Sequence, residues 1–290
     1  MKVTKAVIPA AGLGTRVLPA SKAMPKEMFP IVDKPAIQYI IEEAVQSGIT
    51  DILIITNRGK TVLEDHFDRS PELEEKLLAG GRQQAYEEMC AIANMANIQY
   101  VRQKETKGLG HAVYCARSFV GNDPFAVLYG DDVIISSTVP ATRQLCDAYE
   151  QYGRGVVGTK YVPSELIGKY SSVSATPLQD KIFAVNDMVE KPAPHEILSN
   201  HAILGRCVLP PSIFDILENL PVGAGGELQL TDAMRTLARS EGMIGVEYDG
   251  KRYDMGSKIG ILEAIVEVGL AHNEIGEQFR DYLRGIAGKL

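Results

Sequence analysis

The stretch VIPAAGLGTRVLPAS, residues 7 to 21, places glycine backbone at Gly12 and Gly14 just ahead of Arg16, and Lys22 and Lys26 follow within the same loop. Amides at Ala11, Gly12 and Gly14 can approach a phosphate closely, while the arginine fork and the lysine ammonium groups neutralise its oxygens. A glycine turn with solvated charges would show the same composition. The spacing fits neither common phosphate fingerprint. A dinucleotide loop wants a third glycine where Val17 stands, and a ribose-binding acid where the second strand instead runs into Asn57 and Arg58. No Walker-type loop occurs either, so the stretch points to phosphate chemistry of another kind.

Acids and further cations lie far along the chain. Asp131 and Asp132 close the apolar run FAVLYGDD, and hard oxygen donors at the carboxyl edge of an α/β sheet suit magnesium held with nucleotide phosphates. A polar strand end is the plainer alternative. Asp254, in YDMGS, is a further acid or a turn aspartate before a helix. Glu190 and Lys191, in VEKP, could be a solvated surface pair, and Glu227 could simply favour a helix start. His66, His111, His195, His201 and His272 have no spacing that implies a triad or a metal site.

Elements that could position these groups follow from periodicity. KAVI (5 to 8) and DILIIT (51 to 56) read as strands buried on both faces, with a helix over 35 to 47 between them that ends at Gly48. Residues 58 to 96 form a charged, helical excursion longer than ordinary α/β connections, a lid or a contact surface. Alternation resumes with a strand at 98 to 103, a helix at about 110 to 118 and a strand at 125 to 132. After Gly153 come short strands at RGVVGTKYV, YSSVSATPL and IFAVNDMVEKP, the texture of an antiparallel region. Helices at 228 to 239 and 257 to 272 flank a strand-like MIGVEYDGKRYD, and a last amphipathic piece carries Ile275, Phe279, Tyr282, Leu283 and Ile286. The pattern predicts an α/β fold, Rossmann-like, with a mixed, largely parallel sheet flanked by helices and a smaller antiparallel region.

Composition bounds the function. The 290 residues are 45% hydrophobic, enough for a large core, and the net charge of -7 argues against a nucleic-acid binder, which needs a clustered basic excess. The opening apolar run is too short for a signal peptide or membrane span and Pro9 interrupts it, so a protein with no membrane partner is expected. Cys90, Cys115, Cys146 and Cys207 lie far apart with no metal spacing, which suits reduced thiols in the cytoplasm.

The segment PAAGLGTRVLPASKAMPKEMFPIVDKPAIQYIIEEA resembles the signature of the sugar-1-phosphate nucleotidylyltransferases. The likeness continues in order through EDHFD, KGLGHAV, GDD, VEKP, GELQLTDA and YDMGSKIG, across essentially the whole chain. It implies a single nucleotidyltransferase domain over 1–290, with a nucleotide half (1–150), a sugar-phosphate half (151–260) and C-terminal helices (261–290). It further implies transfer of UMP from UTP to glucose 1-phosphate with magnesium, by in-line attack at the α-phosphorus, in a homo-oligomer, a dimer or tetramer.

Residue by residue, the resemblance gives Ala11, Gly12, Gly14, Gln103 and Gly108 to the nucleotide. An amide such as that of Gln103 has the donor and acceptor an imide edge of uracil needs. Gly168, Glu190, Lys191 and Glu227 are given to the sugar phosphate, with Arg16, Lys26 and Lys191 neutralising the reacting phosphates. The metal falls to the Gly-Asp-Asp acids, Asp132 ahead of Asp131, with Asp254. Such a reaction needs no protein nucleophile and no strong general base, which accords with the lack of a Ser-His-Asp or Cys-His pattern. A thymidylyltransferase, a silent nucleotide-sugar sensor and a dehydrogenase or epimerase are the competing readings. The first differs by a single methyl group on the base. Intact carboxylates and lysines weigh against the second, and the missing glycine and ribose acid against the third.

Overall fold

The structure, a computed structural model, describes residues 1–289, the side chain of Ala224 excepted. Its strands are β1 (Lys5–Pro9), β2 (Pro30–Ile31), β3 (Lys34–Pro35), β4 (Asp51–Thr56), β5 (Asn97–Arg102), β6 (Phe125–Leu128) and β7 (Asp132–Ile135). The later strands are β8 (Gly155–Tyr161), β9 (Ser171–Gln179), β10 (Ile182–Glu190), β11 (His201–Leu209), β12 (Met243–Glu247) and β13 (Lys251–Asp254). Helices α1 (Ala36–Gln46), α2 (Val62–Phe67), α3 (Pro71–Ala79), α4 (Gln83–Ala93), α5 (Leu109–Tyr114) and α6 (Arg117–Val120) belong to the first half. The second half has α7 (Ala141–Tyr152), α8 (Ile213–Asn219), α9 (Leu230–Ser240), α10 (Lys258–Ala271) and α11 (Gly276–Ala287).

A nine-stranded mixed sheet runs β5-β4-β1-β6-β11-β8-β12-β10-β9. Its first four strands are parallel; beyond them only β8 and β12 run parallel and the other neighbours are antiparallel. The antiparallel strands therefore continue one sheet. Strand alternation sends successive residues to opposite faces, and here both faces are covered. In β4, Ile52 and Ile54 join one core cluster while Leu53 and Ile55 join the other. Both clusters are apolar and mainly aliphatic because neither face of β1, β4 or β6 meets water.

Two runs that read as single strands are broken. FAVLYGDD ends as a strand at Leu128, and Asp132 instead begins β7, which pairs with β13 in a separate two-stranded sheet. Gly130 makes the break possible, since a side chain there would lie 2.7 Å from the Pro9 carbonyl that accepts its N–H. MIGVEYDGKRYD splits likewise into β12 and β13. The helix expected at 110 to 118 is interrupted between α5 and α6, and the 58 to 96 excursion folds as α2, α3 and α4. Among the described residues no helix is long and apolar enough to cross a membrane.

Candidate active site

The loops leaving β1 and β6 meet at the carboxyl edge of the sheet, where open α/β folds place ligands. There a cavity of about 470 Å³ gathers Arg16, Asp131, Asp132, Glu190, Lys191, Glu227 and Asp254, which lie far apart in sequence. Its floor comes from the β7–β13 pair, in which Asp132 and Asp254 are directly opposite, and the Met255 N–H donates to the Asp131 carbonyl at 2.8 Å.

The two adjacent aspartates have different surroundings. Asp131 accepts a hydrogen bond from the Lys26 ammonium and lies 3.7 Å from the Arg16 guanidinium, whose other nitrogen is 3.5 Å from Asp254. Burial acts to raise the Asp131 carboxyl, but Lys26, Arg16 and Arg252 outweigh it and hold the group below its ordinary range. Asp132 is only 3% exposed and pairs with Arg252 at 2.5 Å. Burial pushes its carboxyl up to about 6 against the pull of Arg252. Lys26 stays charged: burial works against the ammonium, yet Asp131 and Glu27 raise its pKa overall.

On the opposite wall Glu190 ends β10, where Ser171 of β9 donates to it at 2.5 Å and Thr231 of α9 at 2.8 Å. Lys191 follows with φ of 44°, a conformation uncommon for a residue with a side chain, and its N–H is fixed to the Tyr170 carbonyl at 2.9 Å. Its side chain is 58% exposed and its ammonium lies 3.7 Å from Glu190, so it stands at the cavity mouth. Glu227 accepts from the Gln229 amide at 3.2 Å.

The remaining expected residues are not among those that line this cavity. Gly12 lines a neighbouring cavity with Lys26, and Ala11 and Gly14 give their carbonyls to Asn57 and Ser21, at 2.5 Å and 2.7 Å. Gln103 is buried, and its amide nitrogen bonds the Gly108 carbonyl at 3.2 Å and His111 Nδ1 at 2.9 Å. Its amide oxygen therefore remains to accept. Gly108 adjoins Glu227 because the two loops are laced together: Leu228 N–H donates to Lys107 and Gly110 N–H donates to Leu228, each at 2.8 Å. Gly168 sits in the turn just before the lining residues Lys169, Tyr170 and Ser171.

Sequence reasoning missed Arg252, Ser171, Thr231 and Tyr170. Arg252 has a legible signal, since it stands two residues before Asp254 on a strand and so shares its face. It reaches both Asp132 and Asp254 and lies over the Tyr170 ring, 5.5 Å from its centre. The hydroxyls of Ser171 and Thr231 are committed to Glu190 and, among the described residues, no histidine or cysteine lines the cavity, so the arrangement offers no nucleophile and base pair. What it offers is cations and carboxylates in alternation, suited to binding and orienting phosphates.

A mixed sheet with a cavity of cations and carboxylates at its carboxyl edge is an arrangement suited to nucleotide transfer, and the chain belongs to the nucleotidyl transferase family, whose pattern matches residues 5–269. It is 54% identical over 285 residues to UTP--glucose-1-phosphate uridylyltransferase YngB of Bacillus subtilis (strain 168), covering 98% of this chain and 96% of that one. The fold matches UDP-glucose pyrophosphorylase complexed with UDP-glucose at a TM-score of 0.84 and 40% identity, over 92% of this chain and 98% of the other. It also matches UTP-bound UGPase from Acinetobacter baumannii at a TM-score of 0.87 and 37% identity, over 97% and 98% of the two chains.

Proposed function

We propose that the protein transfers UMP from UTP to glucose 1-phosphate, giving UDP-glucose and pyrophosphate. The observation that carries this reading is the gathering of Arg16, Asp131, Glu190, Lys191, Glu227 and Asp254 at one cavity, in a chain about half identical to a uridylyltransferase. An oxygen of the sugar phosphate forms a bond to the α-phosphorus as the bond from that phosphorus to the bridging oxygen breaks, and the electron pair leaves with pyrophosphate. The nucleophile is already an anion, so the protein has to offset repulsion and hold the line of attack.

Lys191 at the cavity mouth suits the incoming phosphate, and Glu190, held by two hydroxyls, together with Glu227 suits sugar hydroxyls. Arg16 and Lys26 suit the phosphates of UTP. The free amide oxygen of Gln103 can accept from the N3–H of uracil, with Gly108 and the Ala11–Gly12 backbone beside the base. Gly168 supports the sugar side through the turn that sets Tyr170 and Ser171.

Asp131 and Asp254 both lie within reach of the Arg16 fork, so their oxygens converge on one region of the cavity. Two carboxylates with room for phosphate oxygens fit magnesium, which takes few protein ligands and keeps others from substrate. Among the described residues no three-donor cage is present. We therefore assign the metal to Asp131 and Asp254, and give Asp132, buried against Arg252, a supporting place rather than the first one the sequence suggested. When bound, magnesium supplies neutralising charge between the two phosphates.

A cytoplasmic setting accords with four unpaired cysteines, and self-association accords with Ile259 and Leu262 on α10, 63% and 58% exposed. The test of function is a panel of UTP, dTTP, CTP, ATP and GTP against glucose 1-phosphate with magnesium, reading pyrophosphate. UTP should dominate; no release from UTP, or a clear preference for dTTP, would reject the reading.

A further inference from the structure

One residue behind the cavity lining at Gly205 lies a buried ion pair. Arg206 of β11 is 1% exposed and Glu43 of α1 is 6% exposed. The guanidinium donates through Nε to the two Glu43 oxygens, at 3.1 Å and 3.2 Å, and through Nη2 to one of them again. Glu43 also accepts from the N–H and the hydroxyl of Thr142 at the start of α7, at 2.9 Å and 2.6 Å. The remaining guanidinium nitrogen, Nη1, donates to the Gly205 carbonyl at 2.9 Å. A buried pair of this kind seldom adds stability over well-packed apolar side chains of similar volume, because both charges give up their hydration. What this pair does have is a fixed connection to the acids of the cavity.

That connection runs through Gly205, where β11 leaves its register with β8. Ile203 lies opposite Thr159 and Cys207 opposite Val157, so β11 takes four residue steps where its neighbour takes two, and Gly205 adopts a φ of 75° in the bulge. The Gly205 carbonyl that Arg206 holds also accepts the Tyr129 N–H at 2.9 Å. The Tyr129 carbonyl in turn accepts the Asp132 N–H at 3.0 Å, which closes the turn carrying Asp131 and Asp132. The bulge and the turn are also in direct contact, since a methyl group on Gly205 would lie 3.0 Å from Asp132 Oδ2.

We propose that Arg206, held by Glu43, is a positioning residue for nucleotide transfer: by fixing the Gly205 carbonyl it sets the turn that presents Asp131 and Asp132 to the reacting phosphates. The inference rests on the transferase reading above, which places those acids at the reaction centre. In-line displacement tolerates little misplacement, and a shift of about 1 Å can cost about a hundredfold in rate. A guanidinium clamped by a carboxylate has little freedom to swing, and its charge strengthens the bond to the carbonyl. Because Glu43 bridges α1 and α7, the acid turn is referenced to the two helices packed on that face of the sheet.

The experiment compares Arg206→Lys and the double variant Glu43→Gln, Arg206→Met with the wild type. The double variant leaves no lone buried charge and keeps an amide oxygen for Thr142, while Arg206→Lys keeps the charge and gives up the fork. Both should stay folded at the assay temperature by circular dichroism. Both should lose about ten- to a hundredfold in kcat while KM for UTP and for glucose 1-phosphate stays within about threefold, since alignment and not binding is disturbed. Hydrogen exchange without substrates should quicken about tenfold at the amides of residues 129 to 132, with β4 as protected as in the wild type. Wild-type exchange at 129 to 132 in both variants would overturn the proposal. So would faster exchange there with wild-type kcat, which marks Arg206 as structural only, or loss of protection in β4 in step with the turn, which marks general loosening. Exchange needs no turnover: if the wild type released no pyrophosphate from UTP, the transferase reading would fall, and exchange at 129 to 132 would still show whether Arg206 holds the turn.

Discussion

Lys60→Met probes the brace that holds the glycine loop after β1. Lys60 is 7% and Glu27 1% exposed, and the ammonium donates to both Glu27 oxygens at 2.8 Å and 3.0 Å and to the Ala10 carbonyl at 2.6 Å. Burial already raises the Glu27 carboxyl and lowers the Lys60 ammonium, with each partner opposing the shift in the other. Methionine keeps the length of the stem and removes the charge. Glu27 must then remain a buried anion with only the more distant charge of Lys26 to favour it, or take a proton, and the proton sets a ceiling on the damage. Protonating a carboxyl of ordinary pKa about 4.3 costs about 4 kcal/mol at pH 7 and about 1 kcal/mol at pH 5. The first figure agrees with the about 3–5 kcal/mol lost when one partner of a buried pair is removed. The vacated Ala10 carbonyl adds about 1 kcal/mol or more at either pH.

The sign follows from linkage. In the variant the folded-state pKa of Glu27 lies above its unfolded value, so the variant's stability is greatest below the unfolded pKa and is lost as pH rises toward the folded one. Urea unfolding of wild type and variant should therefore give a stability difference about 3 kcal/mol larger at pH 7 than at pH 5. The double variant Glu27→Gln, Lys60→Met should recover most of the loss at pH 7. A penalty equal at the two pH values, or below about 1 kcal/mol at pH 7, would refute the claim that the pair is a dry, mutually dependent brace.

Three further outcomes follow from the site. Lys191→Ala should cut kcat by about a hundred- to a thousandfold, the usual cost of removing one electrostatic contact to the reacting group, while its thermal midpoint stays near that of the wild type; near-normal turnover would reject the assignment. Burial and Lys107 lower the His111 pKa, so at neutral pH its Nδ1 accepts from Gln103, and that contact is lost as pH falls below the ordinary histidine range. KM for UTP should rise in acid for the wild type and lose this limb in His111→Gln; an unchanged limb in the variant would place its origin elsewhere. Gly108→Ala would bring a methyl group 2.7 Å from Glu227 and 2.8 Å from the Leu228 carbonyl at a φ of 96°. It should raise KM for both substrates, and a change confined to UTP would show that the loops are not coupled.

The parts of this fold legible in the sequence are those whose burial is uniform. DILIIT reads as a doubly covered strand because every residue after Asp51 is buried, whichever face it meets. Strand β11, HAILGRCVL, escaped the reading because Gly205 and Arg206 interrupt its apolar run. Both have tertiary reasons. Gly205 adopts a φ of 75° beside Asp132, and Arg206, 1% exposed, pairs with Glu43 of α1, which also accepts from Thr142. No local periodicity announces an arginine whose partner lies 163 positions away. The break after Leu128 was hidden for a related reason, since it answers the approach of Gly130 to Pro9 rather than any change in hydropathy.

Charge pairing explains why the site residues were legible one at a time but their arrangement was not. Lys26 is held by Asp131, Arg16 lies between Asp131 and Asp254, Arg252 is held by Asp132, and Lys191 stands beside Glu190. A buried cation without a partner would carry a desolvation penalty that the fold must absorb. Here each of these cations already has an anionic partner, so that penalty is met in the folded chain. Lys22 and Arg58 follow the other rule: they are exposed, need no partner, and border the cavity at Gly12, which among the described residues is lined by no carboxylate. The carboxylate-matched cations thus meet the acids of the larger cavity, whereas the unmatched ones border its neighbour at Gly12.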